Sequence, residues 1–301
     1  METPAVEKKH ALIGKRFPVL DFGYVELLDA MGSDQDIAEA AWVSTEFGSL
    51  KKSPVPQFID YLLRKGHWSP FEMCEVKLRV MVPLAIEGQW VTHRTASKNQ
   101  ASARYVVLPE NNFKPQVWRA GSTGHHKQGS ASVGIEQSER ADEIYEKLVQ
   151  HARQAEHELR ALGVAPELAR FAELTSQYTM KVWKIDLRNL MNFLRQRTDA
   201  HAQQEIQDYA NIIEHIAEQL FPHAMAAWKN HVKYAVTFSR EEQEFLAGLL
   251  DLALGNEFER HGLPNSISDA LDRYVVLKNP HARKSQLAEL AAKIRHVLEV
   301  A

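Results

Sequence analysis

The sequence predicts a mixed α/β fold with a helical tail, on three observations. The run "EVKLRVMVP" (75–83) alternates Val76, Leu78, Val80 and Val82 with Glu75, Lys77 and Arg79, the period of a strand with one wet face. Stretches at 139–162 and 200–220 instead repeat apolar residues at helical spacing. Beyond Lys233 the "SREE" at 239–242 reads as a capping box and opens three amphipathic helices between 240 and 299, broken by "HGLPNS" and "KNPHA". The expected division is therefore 1–233 and a helical extension, 234–301.

Taken in order, "KKSPVPQFIDYLLRKG" (51–66) holds a helix that buries Phe58, Leu62 and Leu63 and stops at Gly66. After "HWSPFE" and the strand, Pro83 suits the first turn of a helix running through "PLAIEGQWVTHRTAS". That helix sets Gln89, His93 and Ser97 on one side, with Arg94 beside them. "SARYVVL" follows as a strand or loop, exposing Ser102 and Arg104 to the same side. From Pro109 to about Gln137 the chain is rich in Gly, Ser, Asn and His, the composition of a functional lid or of a segment without fixed structure. Helix 139–162 carries Ile144, Leu148, Ala152, Ala155, Leu159 and Leu162 and ends at Gly163, and "PELARFAE" starts a short helix. In "DLRNLMNFLRQRT" (186–198), Leu187, Leu190, Met191 and Leu194 form an apolar stripe while Arg188, Asn192 and Arg195 line another face. Asp199 is the expected N-cap of the next helix, which points Ile206, Tyr209, Ile213 and Leu220 inward.

Composition narrows the function. Over 301 residues the formal net charge is −3, so no global field attracts nucleic acid or an anionic membrane. The start lacks the apolar core of a signal peptide, and no run of about 18 apolar residues occurs. A single cysteine, Cys74, excludes an internal disulfide, and the expected setting is cytoplasmic. With no histidine beside it in sequence, Cys74 reads as an inert thiol. Neither usual glycine-rich phosphate loop is present, nor H-E-x-x-H nor paired C-x-x-C, and His125-His126 sits in a polar loop. No metal site is expected.

What remains is two arginine-bearing polar faces. "LRNLMNFLRQR" by itself reads as a solvated helix face, because Arg is a good helix former. "THRTASKNQASARY" (92–105) reads differently, since Asn, Ser and Thr are poor helix fillers that act by hydrogen bonding. Arg beside Ser is what recognition of phosphate oxygens requires. A helical nucleic-acid-binding module could use the same faces, but it would carry a basic stripe that this chain lacks.

"QWVTHRTASKNQASARY" (89–105) resembles the signature of flavin-dependent thymidylate synthases, the ThyX family, with T-H-R-x7-S in place of R-H-R-x7-S. "GHWSPFE" (66–72), "AWVST" (41–45) and "LRNLMNFLRQRTDAHAQQEI" (187–206) resemble three further blocks of that family, in order. The resemblance implies a central sheet flanked by long helices and a homotetramer with sites shared between chains. Ser44, Ser69, Glu72, His93, Arg94, Arg188, Asn192 and His201 match flavin-holding positions. Gln89, Ser102, Arg104, Tyr105, Arg170 and Arg197 match the uridylate pocket, Gln100 is a further substrate-binding candidate there, and His67 matches the face shared by folate and flavin. Ser102, Arg197 and His67 are the candidates for catalysis. The implied reaction is reductive C5-methylation of uridylate, with carbon from methylenetetrahydrofolate and electrons from FAD reduced by NADPH. In flavin chemistry the cofactor carries the difficult step, so the lone Cys74 need not act.

Four positions depart from the family pattern: Thr92 for the first Arg of R-H-R, Gln100 for Glu, Trp42 for the Arg of A-R-V-S, and Asp186 for Asn. Three readings of these departures stand. They reflect drift in a strict dUMP enzyme, or acceptance of UMP as well as dUMP, as in the ThyX-like methylase of polyoxin biosynthesis, or loss of activity in a flavin- and nucleotide-binding protein. Retention of His67, Ser102, Arg104, Arg170 and Arg197 counts against the last. Acceptance of both nucleotides is the favoured expectation.

Overall fold

Five strands in the order β1-β2-β3-β7-β4 form one antiparallel sheet in this computed structural model, which describes residues 9–43, 54–102, 109–121, 130–246 and 293. β1 (Arg16–Val19) and β2 (Gly23–Met31) make a hairpin, β3 (Glu75–Pro83) pairs with β2, and β7 (Tyr178–Asp186) pairs with β3 along its full length. β4 (Ser97–Gln100) closes the edge against β7. The expected mixed α/β class holds, with helices Asp34–Trp42 (α1), Val55–Arg64 (α2), Leu84–Trp90 (α3), Ser138–Ala161 (α4), Pro166–Ala169 (α5), Leu187–Arg197 (α6), Gln204–Leu220 (α7) and Pro222–Trp228 (α8).

The core joins the sheet's Val25, Leu27, Leu78, Val80 and Ile185 to Ile213 and Ile216 of α7 and Leu190 and Leu194 of α6. The hairpin admits only glycine at position 23. A Cβ there would lie 2.0 Å from the Tyr209 hydroxyl and 2.7 Å from the Val19 carbonyl. That hydroxyl donates to the Met81 carbonyl at 2.6 Å and so pins α7 to the sheet. The first turn of α8 is held by buried Asp34, whose carboxylate accepts from the backbone of His223 and Ala224 at 2.9 Å each.

Several local expectations change. β3 has its wet face only over its first half, because Met81 is 7% exposed and the strand is buried on both sides from Val80 onward. Residues 109–137 contain a two-stranded sheet, β5 (Arg119–Gly121) with β6 (Ser130–Gly134), while His125 and His126 lie outside the described residues. In α4 no residue is buried, and Ile144 and Leu148 of its apolar stripe are half exposed at 56% and 50%. Asp199 does not cap α7, which begins at Gln204; its carboxylate instead accepts from the His201 backbone at 2.8 Å, an Asx turn.

The chain divides into two compact units, Met1–Lys233 and Tyr234–Ala301. In the second, Glu242 accepts from the Ser239 backbone at 2.7 Å and the Ser239 hydroxyl accepts from the Glu242 backbone at 3.3 Å. The capping box is therefore formed at the start of helix 240–246. The other predicted helices of the extension lie outside the described residues.

Candidate active site

The helix carrying Gln89 is shorter than its sequence suggests, and this shapes the site. α3 stops at Trp90 because the Gln89 carbonyl, which would accept from the His93 amide, is taken by two other donors. These are the Thr92 hydroxyl at 2.7 Å and Arg197 Nη2 at 3.0 Å. His93 N turns back to the Trp90 carbonyl instead, at 3.1 Å. Gln89, His93 and Ser97 therefore do not share a helical face, and Ser97 to Gln100 enter the sheet as β4.

Arg197, at the C-terminal end of α6, gathers the residues that the helix break frees. Its Nε donates to His93 Nε2 at 3.1 Å, and Nη2 also reaches the Thr92 hydroxyl at 3.2 Å. Nη1 remains directed to no partner among the described residues. His93 packs edge-on against Phe193, with ring centroids 5.0 Å apart. Burial first, then the charges of Arg197 and Lys181, push its pKa down to about 4. At neutral pH the ring is therefore uncharged and can accept from the guanidinium.

Behind this cluster lies a buried ionic bridge that the sequence reading did not single out. Lys181 of β7 is 1% exposed, pairs with Glu87 of α3, and stands 3.5 Å from the centre of the Trp90 ring. Glu87 also pairs with Lys98 of β4 at 2.8 Å. Burial lowers the Lys181 pKa against the pull of Glu87. Trp90 in turn contacts Trp183, Phe193 and Tyr209, with centroids 5.0–5.9 Å apart. A signal for Lys181 does exist in the sequence: in "KVWKI" it falls in phase with the buried Trp183 and Ile185.

A second group forms where α6 begins. Asp186 caps it by accepting from Asn189 N at 2.9 Å, so Asp at this position performs the capping task within the departed pattern. Arg188 pairs with Glu72, which lies on a single 3-10 turn, Ser69–Met73, tied to α6 by the Leu187 amide donating to the Cys74 carbonyl at 2.8 Å. Next to this pair opens a cleft of about 350 Å³, with Arg188, Asn192 and Arg195 on its polar side and Trp68 and Trp228 on its aromatic side. The Trp228 indole N–H is buried without a hydrogen-bond partner among the described residues.

The remaining expected residues are placed as follows. His67 is exposed just after α2, where Gly66 at φ +73° and the His67 N to Leu62 carbonyl bond at 2.8 Å end the helix; its ring lies 6.1 Å from that of Tyr61. Gln100 donates to the Thr179 hydroxyl at 3.3 Å, and Ser102 is half-buried directly beyond β4. His201 Nδ1 lies 2.8 Å from Asp199. Arg94 and Arg170 are exposed and make no hydrogen bond to the Arg197 cluster among the described residues. Ser44, Arg104 and Tyr105 lie outside the described residues. Trp42 stacks on Phe58 at 5.9 Å, which accounts for an aromatic side chain there. Among the described residues there is no His, Cys, Asp and Glu grouping suited to a metal ion, and no helix is long and apolar enough to cross a membrane.

Comparison with known proteins finds the family described as "Thymidylate synthase complementing protein" matched over residues 26–223. The chain is 40% identical over 248 residues to a flavin-dependent thymidylate synthase of Treponema pallidum, covering 81% of each protein. It is 41% identical to one of Thermus thermophilus, covering 77% of this chain and 85% of the relative. Among solved structures it is similar to the UMP/dUMP methylase PolB of Streptomyces cacaoi bound with 5-Br dUMP. That likeness has a TM-score of 0.65 and 25% identity, over 72% of this chain and 99% of the other.

Proposed function

The chain belongs to the flavin-dependent thymidylate synthase family, FAD-dependent enzymes of methyltransferase type, and on that premise we propose that it methylates both UMP and dUMP at C5 of the uracil ring. Methylenetetrahydrofolate is the carbon donor and NADPH the reductant in this reading. The observation that carries it is Arg197, held by three bonds to Gln89, Thr92 and His93 with Nη1 left for an anionic ligand oxygen. A guanidinium so fixed orients a nucleotide without further ordering cost.

The cleft beside α6 fits a flavin dinucleotide by its donor set. Arg188, Asn192 and Arg195 suit phosphate and sugar oxygens, and half-buried Trp68 suits a planar ring, with Trp228 fully buried behind it. Ser69, Glu72, His93, Arg94 and His201 are the other described residues proposed to hold FAD, with Ser44 beyond them. FAD, when bound and reduced, supplies the electrons that turn the transferred carbon into a methyl group. Gln89, Gln100, Ser102 and Arg170, with Arg104 and Tyr105, serve the uridylate, and exposed His67 serves the folate side. Cys74 is fully buried and cannot reach a pyrimidine ring.

A homotetramer with sites shared between chains is part of this reading, and the half-exposed Ile144 and Leu148, one turn apart on α4, offer an apolar contact for a second copy. The structural neighbour's acceptance of UMP and dUMP supports the dual substrate. A strict dUMP enzyme is the second reading, favoured by the names of the curated relatives. Product formation from UMP and dUMP, side by side under the same folate, FAD and NADPH supply, separates them. The dual reading expects specificity constants within about a hundredfold, the discrimination a site without a dedicated partner achieves against one added hydroxyl. No product from UMP with brisk turnover of dUMP leaves the strict reading.

A further inference from the structure

The buried bridge of Glu87, Lys181 and Lys98 belongs to none of the roles assigned above, yet it borders the Arg197 cluster. We propose that Lys181 is a positioning residue that keeps His93 the hydrogen-bond acceptor for Arg197, so that this guanidinium stays aimed at an anionic nucleotide. The proposal rests on the reading of Arg197 as a uridylate-binding group.

The geometry is a chain of direct contacts. Arg197 Nε donates to His93 Nε2 at 3.1 Å, a bond only an unprotonated nitrogen can accept. The His93 ring touches Phe193, Phe193 stacks on Trp90 with centroids 5.0 Å apart, and the Lys181 ammonium faces the opposite partner of that stack at 3.5 Å. Charges around His93 come from every packed element: Arg197 from α6, Lys181 from β7, Glu87 from α3 paired to it, and Lys98 from β4 paired to Glu87; Arg94, the next residue, is exposed. Burial lowers the Lys181 pKa to about 7, so on the acid side of neutrality two charged lysines against one glutamate leave a surplus positive charge behind the imidazole. A second proton on His93 would stand against that surplus and against Arg197, in surroundings that screen charge poorly. Were His93 to take it up, Arg197 would lose its Nε acceptor and be repelled.

The bridge also makes the test practicable. Removing Lys181 leaves Glu87 paired with Lys98, so no buried charge is stranded. The variants are Lys181→Met, which is apolar, and Lys181→Gln, which retains a donor for Glu87. The first readout needs no cofactor, substrate or turnover: the His93 ring is titrated by NMR in the ligand-free full chain. The wild type is expected to keep His93 unprotonated at pH 5.5, and the variants to raise its midpoint by about half a unit, since burial and Arg197 hold it down more strongly than Lys181 does.

The second readout is dUMP affinity of each variant relative to wild type at the same pH, which cancels titration of the nucleotide's own phosphate. The expected ratio is unity at pH 8 and about twofold weaker at pH 4.5, following the population of protonated His93. Adding His93→Asn to Lys181→Met should abolish that pH dependence. An equal loss at both pH values, or an unmoved His93 midpoint, overturns the proposal and leaves Lys181 a packing residue. Protonated His93 in wild type at pH 5.5 overturns it even if neither variant folds. Failure of wild-type protein to bind dUMP at any pH strikes the nucleotide reading instead, while the ring titration still decides what Lys181 does to His93.

Discussion

Cys74 donates its Sγ–H weakly to the Ser33 carbonyl at 3.5 Å and is sealed beneath Gly32, whose φ of +82° and lack of a side chain let the thiol approach. A Cβ on residue 32 would lie 2.5 Å from that sulfur. Burial first, then Asp36 and Asp34, push the thiol up to about 12, so it carries no thiolate at working pH. The folded protein should resist alkylation by iodoacetamide at pH 8 and react only once denatured. Cys74→Ser should retain C5-methylation. Complete loss of methylation in a folded, FAD-loaded Cys74→Ser protein would contradict chemistry that proceeds without a cysteine adduct. The inert thiol was legible in the sequence because nothing near it in the chain favours a thiolate. The Arg197 contacts were not, because Gln89, Thr92 and His93 meet that residue only after β7 and α6 have brought distant segments together.

Among the elements, α6 carries three of the residues proposed to bind cofactor and substrate, Arg188, Asn192 and Arg197. Its start depends on Asp186, which accepts from both the backbone and the side chain of Asn189, at 2.9 and 2.7 Å. Asp186→Ala should lower stability by about 1–2 kcal/mol, the usual cost of losing such a cap, while Asp186→Asn should cost less. Urea midpoints of the three proteins check this, and an unchanged Asp186→Ala midpoint would show the cap to be idle. Periodicity made α2, α6 and α7 readable, down to Gly66 as a stop and Ile206, Tyr209 and Ile213 as buried residues. It failed at α3, where local pattern favoured continuation but Thr92 and Arg197 claimed the carbonyl needed for the next turn. It also identified β3 alone among the strands of the large sheet. β7 places charged Lys181 in the buried phase of Trp183 and Ile185 and apolar Met180 and Val182 in the other, which breaks the apolar alternation that marks a strand.

At the scale of the whole molecule, α4 is the element that a single chain leaves unfinished. Ile144 and Leu148 are half exposed on a helix with no buried residue, and Phe171 nearby in sequence is 77% exposed. If copies of this chain cover that stripe, replacing Ile144 and Leu148 together by Lys should shift the species observed in light scattering from tetramer to smaller forms. Burying the half of each side chain that remains exposed is worth about 1.5–3 kcal/mol for the two together in transfer terms, repeated at every copy of the contact. A wild-type protein that is monomeric at micromolar concentration would refute the shared-site arrangement. The stripe was plain in the sequence, but its spacing is the same for a helix packed within one chain and for one packed between chains.

The two ends of the buried bridge differ in one respect that bears on how such a chain could change over generations. Among the described residues Glu87 has two cationic partners, Lys181 and Lys98, whereas Lys181 is paired with Glu87 alone. Loss of Lys181 therefore leaves the carboxylate satisfied, while Glu87→Leu abandons an ammonium among aromatic rings, at a cost of about 3–5 kcal/mol or the loss of its proton. The bridge is dismantled at lower cost lysine first, and assembled at lower cost by acquiring the glutamate before Lys181. Denaturation of the two single variants should rank Glu87→Leu well below Lys181→Met, and the reverse ranking would erase that order. A descendant lineage retaining Lys181 without an acid at position 87 should accordingly be rare.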